Sequence, residues 1–138
     1  MKTLATILTT LLVAGGVHAA DLKWEHNYDD ALAQAKKDKK LIMVDVYTDW
    51  CGWCKKLDKD TYSDKTVQEK LAKNFITVKI NPEKSKKNEK LSKEFGTKGF
   101  PHIVFLDATG KKIHEIGGFE PADAFSKELD AVVKQAGK

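Results

Sequence analysis

The sequence predicts an α/β domain in which a central mixed sheet is covered by helices on both faces. Three observations carry this. Apolar runs of strand length alternate with stretches of helical periodicity, the pattern of β-α-β units joined by right-handed crossovers. The run Leu41 to Tyr47 is apolar except for Asp45, as a strand covered on both faces would be. Near the end, the turn Asp107-Ala108-Thr109-Gly110 joins two strand-like segments, which adds an antiparallel hairpin at one side of the parallel strands.

In chain order, Met1 to Ala19 reads as a secretory signal, with Lys2 as the positive start and Leu4 to Val17 as an apolar run too short to span a bilayer. Val17-His18-Ala19 fits the small-residue cleavage pattern and leaves residues 20–138 as one domain, since a chain of this size buries a single core. Leu22 to His26 is a short edge strand with Trp24 packed inward. Asn27 caps a helix through about Lys37, with Asp29 and Asp30 in its first turn and Ala31, Leu32 and Ala35 on one face. The strand Leu41 to Tyr47 follows. Its Asp45 is expensive to ionise there, so its pKa should be raised and it could exchange a proton with a nearby thiol.

A helix-like run from Cys54 should end near Asp60. Ser63 or Asp64 caps the next, whose apolar positions are Val67 and Leu71. Phe75 to Ile80 is a strand with Ile76, Val78 and Ile80 on one face and Phe75, Thr77 and Lys79 on the other. Lys79 sits oddly there and either pairs with Asp45 or snorkels out. Pro82 ends this strand, a lysine-rich helix runs to Phe95, and Gly96 closes it. Gly99-Phe100-Pro101-His102 opens the strand His102 to Leu106; a cis Phe100–Pro101 bond would fix a sharp, exposed backbone edge. After the turn comes the strand Lys111 to Ile116, and then Gly117-Gly118, which permits close backbone approach. Pro121 opens a last helix whose Phe125, Leu129, Val132 and Val133 recur at core spacing.

All 24 basic residues are lysine, and the formal charge of +4 falls to +3 without Lys2. That is mildly basic and not a nucleic-acid signature. The lysine runs at 36–40 and 84–93 read as solvated faces. No second transmembrane candidate appears.

Both cysteines lie in Asp49-Trp50-Cys51-Gly52-Trp53-Cys54-Lys55, where the strand hands over to a helix. At a helix start, unpaired N–H groups and the positive end of the dipole favour a thiolate. Cys51 is therefore the expected nucleophile. Cys54, three residues on, lies on nearly the same helix face and is the expected resolving thiol. A structural zinc site wants four ligands and covalent haem wants His at position 55, so neither fits well. An inert disulfide closing so short a loop would constrain little of the unfolded chain.

Val44-Asp45 before Trp50-Cys51-Gly52-x-Cys54-Lys55, together with Gly99-x-Pro101, resembles the thioredoxin superfamily across the chain from residue 20. Tyr47-x-Asp49-Trp50-Cys51, Thr61-Tyr62-Ser63-Asp64 and Gly117-Gly118-Phe119 look most like the C-terminal periplasmic domain of the membrane electron transporter DsbD. The resemblance implies a thioredoxin-like fold, attack by Cys51, resolution by Cys54, and a cis Pro101 that helps shape a partner groove. It also implies that Asp45 tunes the cysteines and that Asp58, by position, is a second acidic tuner. The groove is expected to include Trp50, Trp53, Phe100, Pro101 and Gly117. Trp53, Lys79, Phe100 and His102 depart from one or both relatives.

The expectation is a periplasmic or secreted thiol–disulfide oxidoreductase that reduces disulfides in partner proteins, as a monomer without metal or cofactor, fed by a membrane thiol-electron transporter of the DsbD type. Asp45 and the absence of histidine between the cysteines favour the reducing direction. The alternatives are a disulfide-forming oxidase or isomerase, and a binding module such as a metal carrier or chaperone.

Overall fold

A computed structural model describes residues 22–138; the expected signal segment and its cleavage site lie outside the described residues. Ten elements follow in order: β1 (Trp24–Glu25), α1 (Tyr28–Asp38), β2 (Leu41–Val46), α2 (Gly52–Asp60), α3 (Lys65–Asn74), β3 (Phe75–Ile80), α4 (Lys86–Glu94), β4 (His102–Leu106), β5 (Lys112–Gly117) and α5 (Ala122–Gln135). They build one five-stranded sheet in the order β1-β3-β2-β4-β5. β1, β3 and β2 run parallel, and β4 and β5 continue antiparallel, which is the mixed sheet the sequence predicts.

Side-chain alternation divides the core into two layers. Leu41 and Met43 of β2, Phe75 of β3, and Ile103 and Phe105 of β4 face α2, α3 and α5 through Leu57, Val67, Leu71, Phe125 and Leu129. Ile42, Val44 and Val46, with Ile76, Val78 and Ile80, face α1 and α4 through Ala31, Ala35, Leu91 and Phe95. Every residue of β2 is buried, because this central strand is covered on both faces.

The helix starts follow local chemistry. Asn27, Asp64 and Ser85 each present a side-chain oxygen to a backbone N–H of the first turn. Three strand boundaries differ from the sequence expectation. β1 has two residues, not five, because it pairs only with Thr77 and Val78 at the sheet edge. β2 stops at Val46, one residue short of the expectation, although the Tyr47 N–H still donates to Ile80 O at the end of β3. β5 lies one residue later than expected, where the ladder shifts between Phe105 and Leu106.

The register sets where the chain can do chemistry. Val46 pairs with Ile80 on one side and His102 on the other, and His102 pairs with Gly117. The ends of β2, β3 and β5 and the start of β4 therefore converge, and their loops cluster at the carboxyl end of the parallel strands. This is where open α/β sheets place their sites.

Candidate active site

Cys51 and Cys54 form a disulfide at that end, with their Cα atoms 5.3 Å apart. α2 begins at Gly52, earlier than the sequence reading, and Cys51 is its N-cap: its Sγ accepts from the Cys54 N–H at 3.1 Å. A sulfur at this position faces the unpaired amides of the first turn, the environment that favours a thiolate once the bond is reduced. Both cysteines are buried, Cys51 slightly less than Cys54. α2 is anchored beneath them by the fully buried Leu57.

Asp45 lies on the β2 face that looks toward α2, at zero exposure. Its parallel neighbour is Lys79, and the two side chains meet: Lys79 Nζ is 3.1 Å from Asp45 Oδ2 and 2.6 Å from Asp58 Oδ1. Asp58 stands one helical turn beyond Cys54, so a single ammonium links the buried carboxyl of the sheet to the cysteine helix. Lys79 pairs rather than snorkels. Its Nζ also lies 4.8–5.6 Å from the ring centroids of Trp24, Tyr47 and Tyr62, an aromatic box that favours a cation.

Burial pushes the Asp45 carboxyl above the ordinary aspartate range, and the Lys79 charge opposes that without cancelling it. Burial alone would lower Lys79, but Asp45 and Asp58 outweigh it and hold the ammonium above its usual value. Asp45 Oδ1 and the hydroxyl of Tyr62 are both enclosed without a hydrogen-bond partner among the described residues. Burial, then the neighbouring Asp45 and Asp58, push the Tyr62 phenol well up.

Around the disulfide, Trp50 and Trp53 are the exposed large hydrophobic residues, at 66% and 60%. Trp50 stands edge-on to Phe100 at 5.8 Å and donates from Nε1 to Glu83 Oε1 at 3.0 Å. Trp53 lies 5.8 Å from Phe119, whose other neighbour is the ammonium of Lys56, 5.2 Å away. The Phe100–Pro101 bond is cis, and the Gly118 N–H donates to Pro101 O at 2.9 Å. Gly117 lies exposed beside Pro101 and shares a cavity of about 400 Å³ with it.

The sequence-expected residues thus fall into two groups. Cys51, Trp50, Trp53, Phe100, Pro101 and Gly117 lie in the loops and helix start at the carboxyl end of the parallel strands, while Asp45 and Asp58 meet through Lys79. Sequence reasoning missed the box of Trp24, Tyr47 and Tyr62, which comes from β1 and the segments that follow β2 and α2 and leaves no local pattern. It also missed the link from Trp50 to Glu83 and the ion pair of Asp49 with Lys84, 2.7 Å apart. That pair's hydrogen bond holds Asp49 below the ordinary aspartate range.

The sequence profile of the family described as Thioredoxin-like domain matches residues 28–133. Over 93 residues the chain is 38% identical to the Thiol:disulfide interchange protein DsbD of Actinobacillus pleuropneumoniae, covering 66% of this chain and 16% of that protein. It spans about a sixth of the length of the DsbD relatives it matches, 16% and 17% in two of them. It is 34% identical over 119 residues to the Disulfide bond reductase DsbH of Chlamydia pneumoniae, covering 76% of this chain and 68% of that one. A solved structure titled DsbH Oxidoreductase aligns with a TM-score of 0.72 at 26% identity, over 96% of this chain and 95% of the other. The oxidised C-terminal domain of Neisseria meningitidis DsbD shares the fold, with a TM-score of 0.64 at 24% identity over 75% of this chain and 90% of the other.

Proposed function

The chain belongs to the thioredoxin-like domain family, and from that premise we propose that it reduces disulfides in partner proteins by dithiol–disulfide exchange. The observation that carries the reading is Cys51 acting as N-cap of α2 at the carboxyl end of the parallel strands, with the slightly more buried Cys54 one turn on. In the reduced protein, the Cys51 thiolate attacks one sulfur of the partner's disulfide. A mixed disulfide forms, and the other partner sulfur leaves as a thiolate. Cys54 then attacks Cys51 Sγ, closes the bond seen here and releases the second partner thiol; two electrons have passed to the substrate. The state described is thus the spent form, which a dithiol donor must reduce again.

Asp45 supports the reducing direction. A carboxyl that holds its proton more tightly than usual can take one from Cys54 as that thiol is called on to attack, and its charge, when present, disfavours a resting thiolate. Asp58 and Lys79 carry this influence to the cysteine helix. Trp50, Trp53, Phe100, Pro101 and Gly117 form the surface on which a substrate polypeptide rests. The segment 1–19 supports export, so the working compartment is periplasmic or extracellular. The electron source is a membrane thiol-electron transporter of the DsbD type, and the chain acts as a monomer.

Titration of the purified chain in redox buffers tests the direction. A potential near the thioredoxin value of about −270 mV supports a reductant, whereas a value near about −120 mV, typical of a strong oxidant, would replace this reading with the oxidase alternative. Cys51→Ser should abolish insulin reduction, and Cys54→Ser should accumulate mixed disulfides; turnover by the first variant would refute the mechanism.

A further inference from the structure

The loop between α4 and β4 carries Phe100 and Pro101, yet its own backbone does little to hold it. The Thr97 N–H donates to Ser92 O at 3.0 Å and Gly118 N–H to Pro101 O at 2.9 Å, but among the described residues the amides of Lys98, Gly99 and Phe100 donate to no backbone carbonyl. Beside the loop lies the open cleft of about 400 Å³, lined in part by Gly96, Gly99 and Pro101, so this side of the loop is not packed against protein.

His102 spans this weak point. Its side chain is buried, with Nδ1 2.8 Å from Thr97 Oγ1 at the start of the loop and Nε2 2.9 Å from Glu115 Oε2 on β5. Glu115 also accepts from Lys112 Nζ at 3.0 Å, and the Lys112 and His102 hydrogen bonds hold its carboxyl below the usual glutamate range. An ionised carboxylate only accepts, so His102 carries a proton on Nε2. In the neutral ring, Nδ1 then accepts the Thr97 hydroxyl proton; in the charged ring it donates, and the hydroxyl turns to accept. The connection is complete in either state. The strand does not need it, because the β4–β5 ladder already pairs His102 with Gly117 through the backbone.

We propose that His102 is a positioning residue for protein substrates: the Thr97–His102–Glu115 connection staples the base of the Phe100–Pro101 loop and fixes that wall of the groove relative to Trp50 and Cys51. A polypeptide disulfide, which must lie along the wall, depends on the staple; a small aromatic disulfide, which needs only the sulfur, does not. This rests on the exchange reaction proposed above, and the two substrates separate the claims.

The experiment measures KM and kcat for insulin with dithiothreitol as electron source, the single-turnover rate with 5,5′-dithiobis(2-nitrobenzoate), and the reduction potential. Thr97→Val, which exchanges the hydroxyl for a methyl, should raise the insulin KM about fivefold, the equivalent of one lost hydrogen bond. The insulin kcat, the small-disulfide rate and the potential should stay at the parent values, and Thr97→Ser should restore the KM. If Thr97→Val does not fold, Glu115→Ala cuts the other end from an exposed position and is expected to give the same pattern. An unchanged insulin KM, or an equal loss on both substrates, overturns the staple. A parent protein that reduces neither substrate overturns the exchange reading, and the staple's role with it.

Discussion

At Lys79 one ammonium serves two carboxylates of unequal burial, since the Asp45 side chain is fully enclosed and that of Asp58 is 48% exposed. The more exposed one keeps water to share its charge, so the cost of ionisation falls on Asp45. Its folded-state pKa lies above the unfolded value, so the folded chain binds this proton more tightly. The contribution of Asp45 to stability is therefore most favourable below the ordinary aspartate range and declines as pH rises through the unfolded value to the raised folded one. Asp45→Asn should remove this decline. Urea titrations should find the variant more stable than the parent at pH 8, with the difference smallest near pH 3; a constant difference would mean that Asp45 does not titrate as burial requires. Asp45 was legible in the sequence because a carboxyl interrupts an apolar run. Its partner was not settled, because the choice between pairing and snorkelling depends on the β2–β3 register, which places Asp45 beside Lys79. Thr97, His102 and Glu115 carry no pattern at all, since they meet only once the hairpin and the preceding loop have folded.

Elements were read best where burial imposes a period. β2, β3, β4 and α5 follow from their apolar spacing, and two caps follow from Asn27 and Asp64, whereas the Ser85 cap of α4 was not read from the lysine-rich run. α2 was placed too late because Gly52 and the exposed Trp53 hide its first turn, and the ladder shift that moves β5 is invisible in alternation alone. The β4–β5 turn shows how narrowly such a junction is specified. Gly110 has φ +89°, and a Cβ there would come 3.1 Å from the Tyr28 hydroxyl, across the molecule on α1. Gly110→Ala combines left-handed strain with crowding and should cost about 1–2 kcal/mol of unfolding free energy. Chemical denaturation measures this, and reduction of 5,5′-dithiobis(2-nitrobenzoate) should be unaffected, since the turn lies at the opposite end of β4 from the disulfide.

For the whole molecule, the division of labour follows from sheet order. One end of the strands carries the disulfide, the cis-proline loop and the exposed indoles, while the two apolar layers beneath hold the sheet together. Substitutions on the exposed surface should accordingly separate binding from folding. Trp53→Ala is expected to change unfolding free energy by no more than about 0.5 kcal/mol, while raising the insulin KM several-fold; a stability loss matching a core truncation would show instead that Trp53 is structural. The overall architecture was legible because it rests on strand and helix order, whereas the surface depends on how loops from four strands meet. The same arrangement makes the protein its own optical gauge. Trp50 and Trp53 flank a disulfide, an efficient acceptor of an electron from an excited indole, while Trp24 sits apart in the Lys79 box. Opening the bond removes that quencher, so the emission of the two flanking indoles should brighten on reduction, and the oxidation state of the chain can be followed in real time without an added dye.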